Sequence, residues 1–224
     1  MTPSERWVAA TWPFVRSWLP PAPARVIDLG CGSEGGFVPS LRANGYDALG
    51  VDPQAPVGAQ YRRAEFECAS LPEQVEAVVA STSLHHVADP GHVIDRITTT
   101  LTPGGGRLVV VEWAWENFDE QTADWCFRRL GSDDDAGWLH HRREEWLASG
   151  LQWPNYLRDW AERERLHRGD ELVRLLSERL QREFLENGPY FFPDLANTTD
   201  ADERAAIDAG AINATRIDWA GSRR

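Results

Sequence analysis

A glycine-dense turn set directly behind a short apolar run constrains this chain more than any other feature. Residues 26–37 read VIDLGCGSEGGF, with Gly30, Gly32, Gly35 and Gly36 following Val26, Ile27 and Leu29. A buried strand that ends in such a turn opens an α/β unit, because glycine lets the backbone reverse sharply and approach a ligand closely. Gly30, Gly32 and Gly35 are spaced G-x-G-x-x-G, the nominal fingerprint of a dinucleotide-binding turn. The same stretch carries two carboxylates, Asp28 and Glu34, and no Arg. A pyrophosphate needs donors and positive potential at a helix N-terminus. Acids at that place suit a ligand bearing an amino group and a sulfonium.

Strand and helix signals then alternate. RVIDLG (25–30), YDALGVD (46–52), a weaker YRRAEFE (61–67), EAVVAST (76–82) and RLVVVEW (107–113) read as strands. FVPSLRANG (37–45) reads as a helix stopped by Asn44-Gly45, and DPGHVIDRITTTL (89–101) as a helix with Asp89 at its N-cap and Pro90 in its first turn. Strands separated by such helices pair in parallel, which predicts an α/β fold with a doubly wound sheet. Residues 1–19 precede it as an amphipathic helix carrying Trp7, Trp12, Phe14 and Trp18, ended by PPAPA at 20–24.

The pattern changes after Trp115. DEQTADWCFRRL, RREEWLASG, PNYLRDWAERERL and DELVRLLSERLQREFLE, within 116–187, read as helices. In the last, Leu172, Leu176, Leu180 and Phe184 recur every four residues, which predicts one helix over 170–186. GPYFFPDL (188–195) and NATRIDWAG (213–221) read as closing strands around a helix at DADERAAIDAG (200–210); SDDD at 132–135 reads as a solvated turn. The expected organisation is an N-terminal helix and linker (1–24), a cofactor-binding core (25–115), a helical cap (116–187) and closing strands (188–224).

Charge and cysteine usage narrow the class. The formal net charge is −12, and the 23 basic residues form no basic run. Nucleic-acid affinity comes mainly from neutralising phosphates, so no nucleic-acid partner is expected. Cys31, Cys68 and Cys126 form no C-x-x-C pair, which points to reduced thiols and a cytoplasmic protein. No segment reaches the roughly 20 apolar residues that span a bilayer, and no signal-peptide pattern opens the chain. No membrane partner is expected, nor a metal, since no His/Cys/Asp group has ligand spacing.

Acids also mark the other strand ends. Asp52, followed by Pro53, ends the second strand 20 residues after Gly32, a spacing suited to a carboxylate on the ribose hydroxyls of NAD or of S-adenosylmethionine. Glu67 and Cys68 follow the third strand, where a carboxylate and a backbone N–H can read an adenine edge. In order, VIDLGCGSEGGF, YDALGVDPQ, FECASLP, AVVASTSLHHVADP and LTPGGGRLVVVEW resemble the successive motifs of class I S-adenosylmethionine-dependent methyltransferases. Within these they are most similar to the small-molecule methyltransferase type 11 group, which includes ubiquinone and menaquinone biosynthesis enzymes. The resemblance covers about residues 25–113.

It implies a Rossmann-like seven-stranded sheet with the last strand antiparallel, and S-adenosyl-L-methionine as cofactor. It implies contacts from the backbone of Gly30, Cys31 and Gly32, from Asp52 to the ribose, and from Glu67 and Cys68 to the adenine. Asp28 would support the loop or the methionine amino group, with Ser81 and Thr82 near the methionine end. The family loop runs G-x-G-x-G; Glu34 stands at the third glycine position, so the loop is one residue longer or Glu34 reaches the cofactor's ammonium.

His85 and His86, at the end of the fourth strand, read either as a general base or as polar packing, and on a strand only one of the pair faces the crevice. His140 and His141 read as an exposed helix start. Of the 11 tryptophans most read as cap core, but Trp113, Trp115 and Phe118 at the cap entry, with Tyr190 as a polar handle, are candidates to line a small-molecule substrate site. The expected function is transfer of a methyl group from S-adenosylmethionine to a small molecule. Its rivals are a non-methylating S-adenosylmethionine binder and an NAD-dependent oxidoreductase. The cap reads as a specificity lid or, in the competing view, as an assembly surface.

Overall fold

The computed structural model describes residues 1–132 and 137–224. Helix α1 (Pro3–Trp18) precedes β1 (Arg25–Leu29), α2 (Val38–Ala43), β2 (Asp47–Val51), β3 (Tyr61–Arg62), β4 (Ala77–Ser81), α3 (Pro90–Thr100) and β5 (Arg107–Trp113). The cap helices α4 (Glu120–Phe127), α5 (Trp138–Ser149) and α6 (Trp153–Arg163) follow, then α7 (Gly169–Arg179), β6 (Gln181–Gly188), α8 (Asp200–Asp208) and β7 (Arg216–Ser222). The seven strands lie in the order β3-β2-β1-β4-β5-β7-β6. The first five are parallel, and β7 runs antiparallel to both β5 and β6.

The central strands read as continuous apolar runs because both faces of the sheet are covered. Alternate residues serve opposite faces. Ile27, Val78 and Val110 pack with Ile94 and Ile97 of α3 and Leu172 and Leu176 of α7. Val26, Val79 and Val109 pack with Val15 of α1 and Phe37, Val38 and Leu41 around α2. A separate aromatic cluster, including Phe118, Trp153, Trp160 and Phe191, is the interior of the cap. Strand β1 is flanked by β2 on one side and β4 on the other, so the chain order reverses there and leaves a crevice beyond the strands' carboxyl ends.

Three expectations are corrected. The helix predicted over 170–186 stops at Arg179, and Gln181–Gly188 is the edge strand β6, paired with β7. Phe184 leaves the helical stripe and meets α1 instead, with ring centroids 5.4 Å from Phe14 and 5.6 Å from Trp18. The boundary expected at 187 therefore falls inside β6. GPYFFPDL is not a strand: the buried Glu203 carboxylate accepts the N–H groups of Tyr190 (2.7 Å), Phe191 (3.1 Å) and Phe192 (2.7 Å), which folds the segment into a turn. The fourth strand ends at Ser81, and Leu84–His86 form a short 3-10 turn, so the alternation argument for the two histidines does not apply. The turn expected at 132–135 lies, apart from Ser132, outside the described residues.

Candidate active site

Strand β1 delivers the glycine turn to the crevice. Gly30 N–H donates to Val51 O at 2.9 Å, which ties the start of the turn to β2. Gly30 has φ +78°, and a Cβ there would come within 2.3 Å of Ser83 Cβ, so no other residue fits. Gly32 has φ +62°, and a Cβ there would meet nothing within 4 Å, because this residue borders a cleft of about 400 Å³.

The acid that precedes the turn braces it. Asp28 is buried, and its Oδ2 accepts the Phe37 N–H at 2.7 Å across the loop. Its Oδ1 is buried without a partner among the described residues. Burial pushes the Asp28 carboxyl up to about 7, against the lowering effect of the Phe37 and Val38 amides and with a small push from Asp52. The Phe37 bond braces the loop, one of the two roles expected for Asp28. Cys31 has its backbone in the turn, where the expected contact would come from, and its sulfur lies beneath it, 2.8 Å from where a Gly50 Cβ would stand. Burial, then Asp28 and Asp52, raise its thiol far above the ordinary range. Glu34 is exposed, does not line the cleft and accepts from Thr2 Oγ1 at 3.0 Å.

Around the cleft stand Asp52, Pro53 and Gln54 from the end of β2, Ala64–Glu67 after β3, and Thr82, Ser83, His86 and Val87 after β4. Asp52 Oδ1 accepts the Gln54 N–H at 2.6 Å, an Asx-type turn that fixes the carboxylate. Three carboxylates, Asp52, Glu65 and Glu67, line this cleft, and no Arg does among the described residues. Cys68 is corrected: it is exposed, does not line the cleft, and its N–H already donates to Glu65 O at 3.0 Å. Thr82, with φ +48°, is on the cleft wall. Ser81 sits behind it, its hydroxyl accepting from Trp7 Nε1 at 2.9 Å.

A glutamate that the sequence reading passed over organises the turn after β4. Glu112 of β5 is buried; its Oε1 accepts the N–H groups of Ser83 (2.7 Å) and Leu84 (2.6 Å). Its Oε2 accepts the Trp113 N–H at 3.1 Å and lies 2.5 Å from His85 Nδ1. Burial works against the Glu112 charge, but the His85 ring and these amides outweigh it and hold the carboxyl below its usual value. An ionised carboxylate only accepts, so His85 Nδ1 is the donor, and of the two neutral tautomers this selects the one with its lone pair on Nε2.

The two histidine rings are 4.1 Å apart, yet they face different surroundings. His85 is buried, its ring 6.0 Å from Trp113; His86 is exposed at the cleft wall. Partial burial first, then His85, hold His86 below 6.5, against the pull of Glu112.

Aromatic residues divide likewise. Trp113 stacks on Tyr190 at 5.4 Å with 12° between the planes, on the His85 side of the turn. Burial, then Glu112 and Asp194, raise the Tyr190 hydroxyl's pKa. None of Trp113, Trp115, Phe118 and Tyr190 lines the cleft, and neither does His85; all four aromatic residues belong to the cap cluster. Trp115 Nε1 donates to His167 O at 3.1 Å, and Phe118 is cap interior, 5.0 Å from Trp153 and 4.3 Å from Phe191. His140 is buried rather than exposed, and His141 is exposed. Besides Glu112, the cleft takes in Glu65, Ser83 and Gln54, which no motif marks although they lie within two positions of Glu67, Thr82 and Pro53.

A doubly wound sheet with an antiparallel seventh strand thus carries an acid-walled cleft over a glycine turn. The family described as Methyltransferase domain matches residues 6–181, and the chain belongs to that family. Among solved structures it is similar to an S-adenosylmethionine-dependent methyltransferase from Mesorhizobium loti, with TM-score 0.57 and 20% identity over 96% of this chain and 98% of that one. It is also similar to the geranyl diphosphate C-methyltransferase of Streptomyces coelicolor A3(2), with TM-score 0.57 and 16% identity over 98% of this chain and 80% of that one. At such identities the likeness is one of fold. Ubiquinone biosynthesis O-methyltransferases of Aeromonas salmonicida and Stutzerimonas stutzeri are 32% and 35% identical over 97 residues, 36% of this chain. The match spans only 40% and 41% of those relatives' lengths.

Proposed function

We propose that this chain binds S-adenosyl-L-methionine and catalyses methyl transfer to a small molecule through an oxygen, nitrogen or carbon nucleophile. The observation that carries the reading is the acid wall of the cleft, Asp52, Glu65 and Glu67 with no Arg among them. Such a wall favours a cationic nucleoside and disfavours a pyrophosphate. In this reading Asp52 holds the ribose hydroxyls, Glu67 the adenine amino group, and the Gly30–Gly32 backbone the methionine portion, with Thr82 beside it. When bound, the cofactor supplies a sulfonium methyl open to in-line attack.

The chain's own work is alignment and exclusion of water. Trp113 and Tyr190 form the acceptor-side wall, and the helical cap that begins after β5 sets specificity. For an acceptor that arrives protonated, His85 takes the proton: Glu112 fixes its Nδ1–H, which leaves Nε2 as the base. His86 belongs to the donor side. The partial likeness to O-methyltransferases of ubiquinone biosynthesis supports a small-molecule acceptor. The free thiols Cys31, Cys68 and Cys126 favour a reducing compartment, and the cytoplasm is the proposed location.

The test is S-adenosylhomocysteine release from S-adenosylmethionine on addition of fractionated small metabolites. Release that depends on one fraction is expected. Cofactor binding with no release from any fraction would make the chain a non-methylating binder.

A further inference from the structure

Helix α1 has two halves with different neighbours. Its C-terminal half belongs to the core: Val15 is buried, and Phe14 and Trp18 meet Phe184. Its N-terminal half rests Trp7, Val8 and Trp12 partly buried against the same sheet face and is tied down by polar contacts from three segments. Thr2 Oγ1 donates to Glu34 Oε2 at 3.0 Å, Trp7 Nε1 donates to Ser81 Oγ at 2.9 Å, and Arg6 donates to the carbonyls of Pro193, Leu195 and Thr198. Pro13 divides the halves. It has no N–H, so the ladder lacks its bond to the Ala9 carbonyl, a weak point at which a helix bends.

We infer that the N-terminal half of α1 is a strap hinged at Pro13, latched by Glu34, that closes the methyl-donor end of the crevice with Trp7 as the wall the acceptor meets. This rests on the proposed cofactor site, since Ser81 marks the donor's methionine end only in that reading. Trp7 lies edge-on to Tyr190 at 5.2 Å, and Tyr190 stacks on Trp113, so Trp7 completes an aromatic rim drawn from three parts of the chain. The latch also gives a role to the one residue by which the glycine loop departs from G-x-G-x-G. Glu34 is turned toward the helix cap, not toward the ligand. The Thr2–Glu34 contact is exposed and Trp7, Val8 and Trp12 are only partly buried, whereas Val15 anchors the C-terminal half fully buried in the sheet core. The N-terminal half therefore opens first.

Hydrogen exchange of the intact chain, free and with saturating S-adenosylhomocysteine, tests the strap; calorimetry on the same samples establishes that the ligand is bound. Exchange over residues 3–12 is expected to slow by about tenfold with ligand, while residues 14–18 change little. Glu34→Ala is expected to speed exchange over 3–12 several-fold in the free chain. Trp7→Phe keeps the ring but loses the donor to Ser81, and is expected to weaken the protection by ligand. Bound ligand with unchanged exchange over 3–12 would overturn the strap and leave the cofactor site standing. Absence of ligand binding by calorimetry would overturn both.

Discussion

His85 Nδ1 lies 2.5 Å from Glu112 Oε2, and both side chains are buried. One carboxylate thereby fixes a histidine tautomer and, through its other oxygen, the backbone of the turn that borders the donor cleft. The two oxygens serve different sides: Oε1 holds Ser83 and Leu84, while Oε2 holds His85 and Trp113.

Glu112→Gln should separate these roles. The amide oxygen still accepts from Ser83 and Leu84, but its NH₂ cannot accept from His85. Affinity for S-adenosylhomocysteine should stay within about threefold, while turnover of an acceptor that must lose a proton should fall by roughly 10²–10⁴. Calorimetry and the rate across pH check this. Turnover unchanged with the same pH profile would remove the pair from proton transfer.

Asp28 gives the fold a pH dependence of its own. Its carboxyl titrates near 3.8 when unfolded and about 7 when folded, so the native state holds the extra proton between these values. Stability from this group is complete below pH 3.8 and is lost as pH rises through 7. The slope is at most about 1.4 kcal/mol per pH unit. Asp28→Asn keeps an oxygen for the Phe37 N–H and removes the titration. Urea midpoints at pH 5 and pH 8 should differ less in the variant than in the parent chain.

Phe118 is packed among Trp153, Phe127 and Phe191 inside the cap. Phe118→Ala should cost about 3–5 kcal/mol of stability, read as a lower urea midpoint. Its effect on cofactor affinity should be small, because the cleft is built by other elements. Its burial within the chain also means that Phe118 offers no surface for assembly. A variant as stable as the parent would show that the cap interior is not packed as described.

The parallel core was legible because its central strands are buried on both faces and read as apolar runs, the first two followed by Gly30 and Asp52. Asp52 could be placed at the cleft because it follows a plain strand; Glu67, after a weak strand of two residues, and Thr82 were placed there by the order of the family's motifs. Strand β6 was not legible. It lies at the sheet edge with most of Gln181–Asn187 exposed, so it shows no alternation, and Leu180 and Phe184 continue a helical spacing by coincidence. The segment 188–195 looks like a strand until the Glu203 carboxylate, distant in sequence, takes three of its N–H groups. Glu112 was invisible for a similar reason. A lone acid in an apolar strand carries no periodic signal, and its partner His85 is 27 positions away. Trp7 reads as one aromatic among many in α1 until the fold brings it to Ser81.

The central claim is that the acid-walled cleft holds S-adenosylmethionine. The most direct measurement is a calorimetric titration of the purified chain with S-adenosylmethionine, S-adenosylhomocysteine and NAD, repeated on Asp52→Ala. The first two ligands should bind and NAD should not. Loss of the charge-assisted hydrogen bonds of Asp52, about 1.5–3 kcal/mol, should weaken both by roughly ten- to a hundredfold in a variant that remains folded. Tight binding of NAD, or an affinity for S-adenosylhomocysteine indifferent to Asp52, would contradict the account.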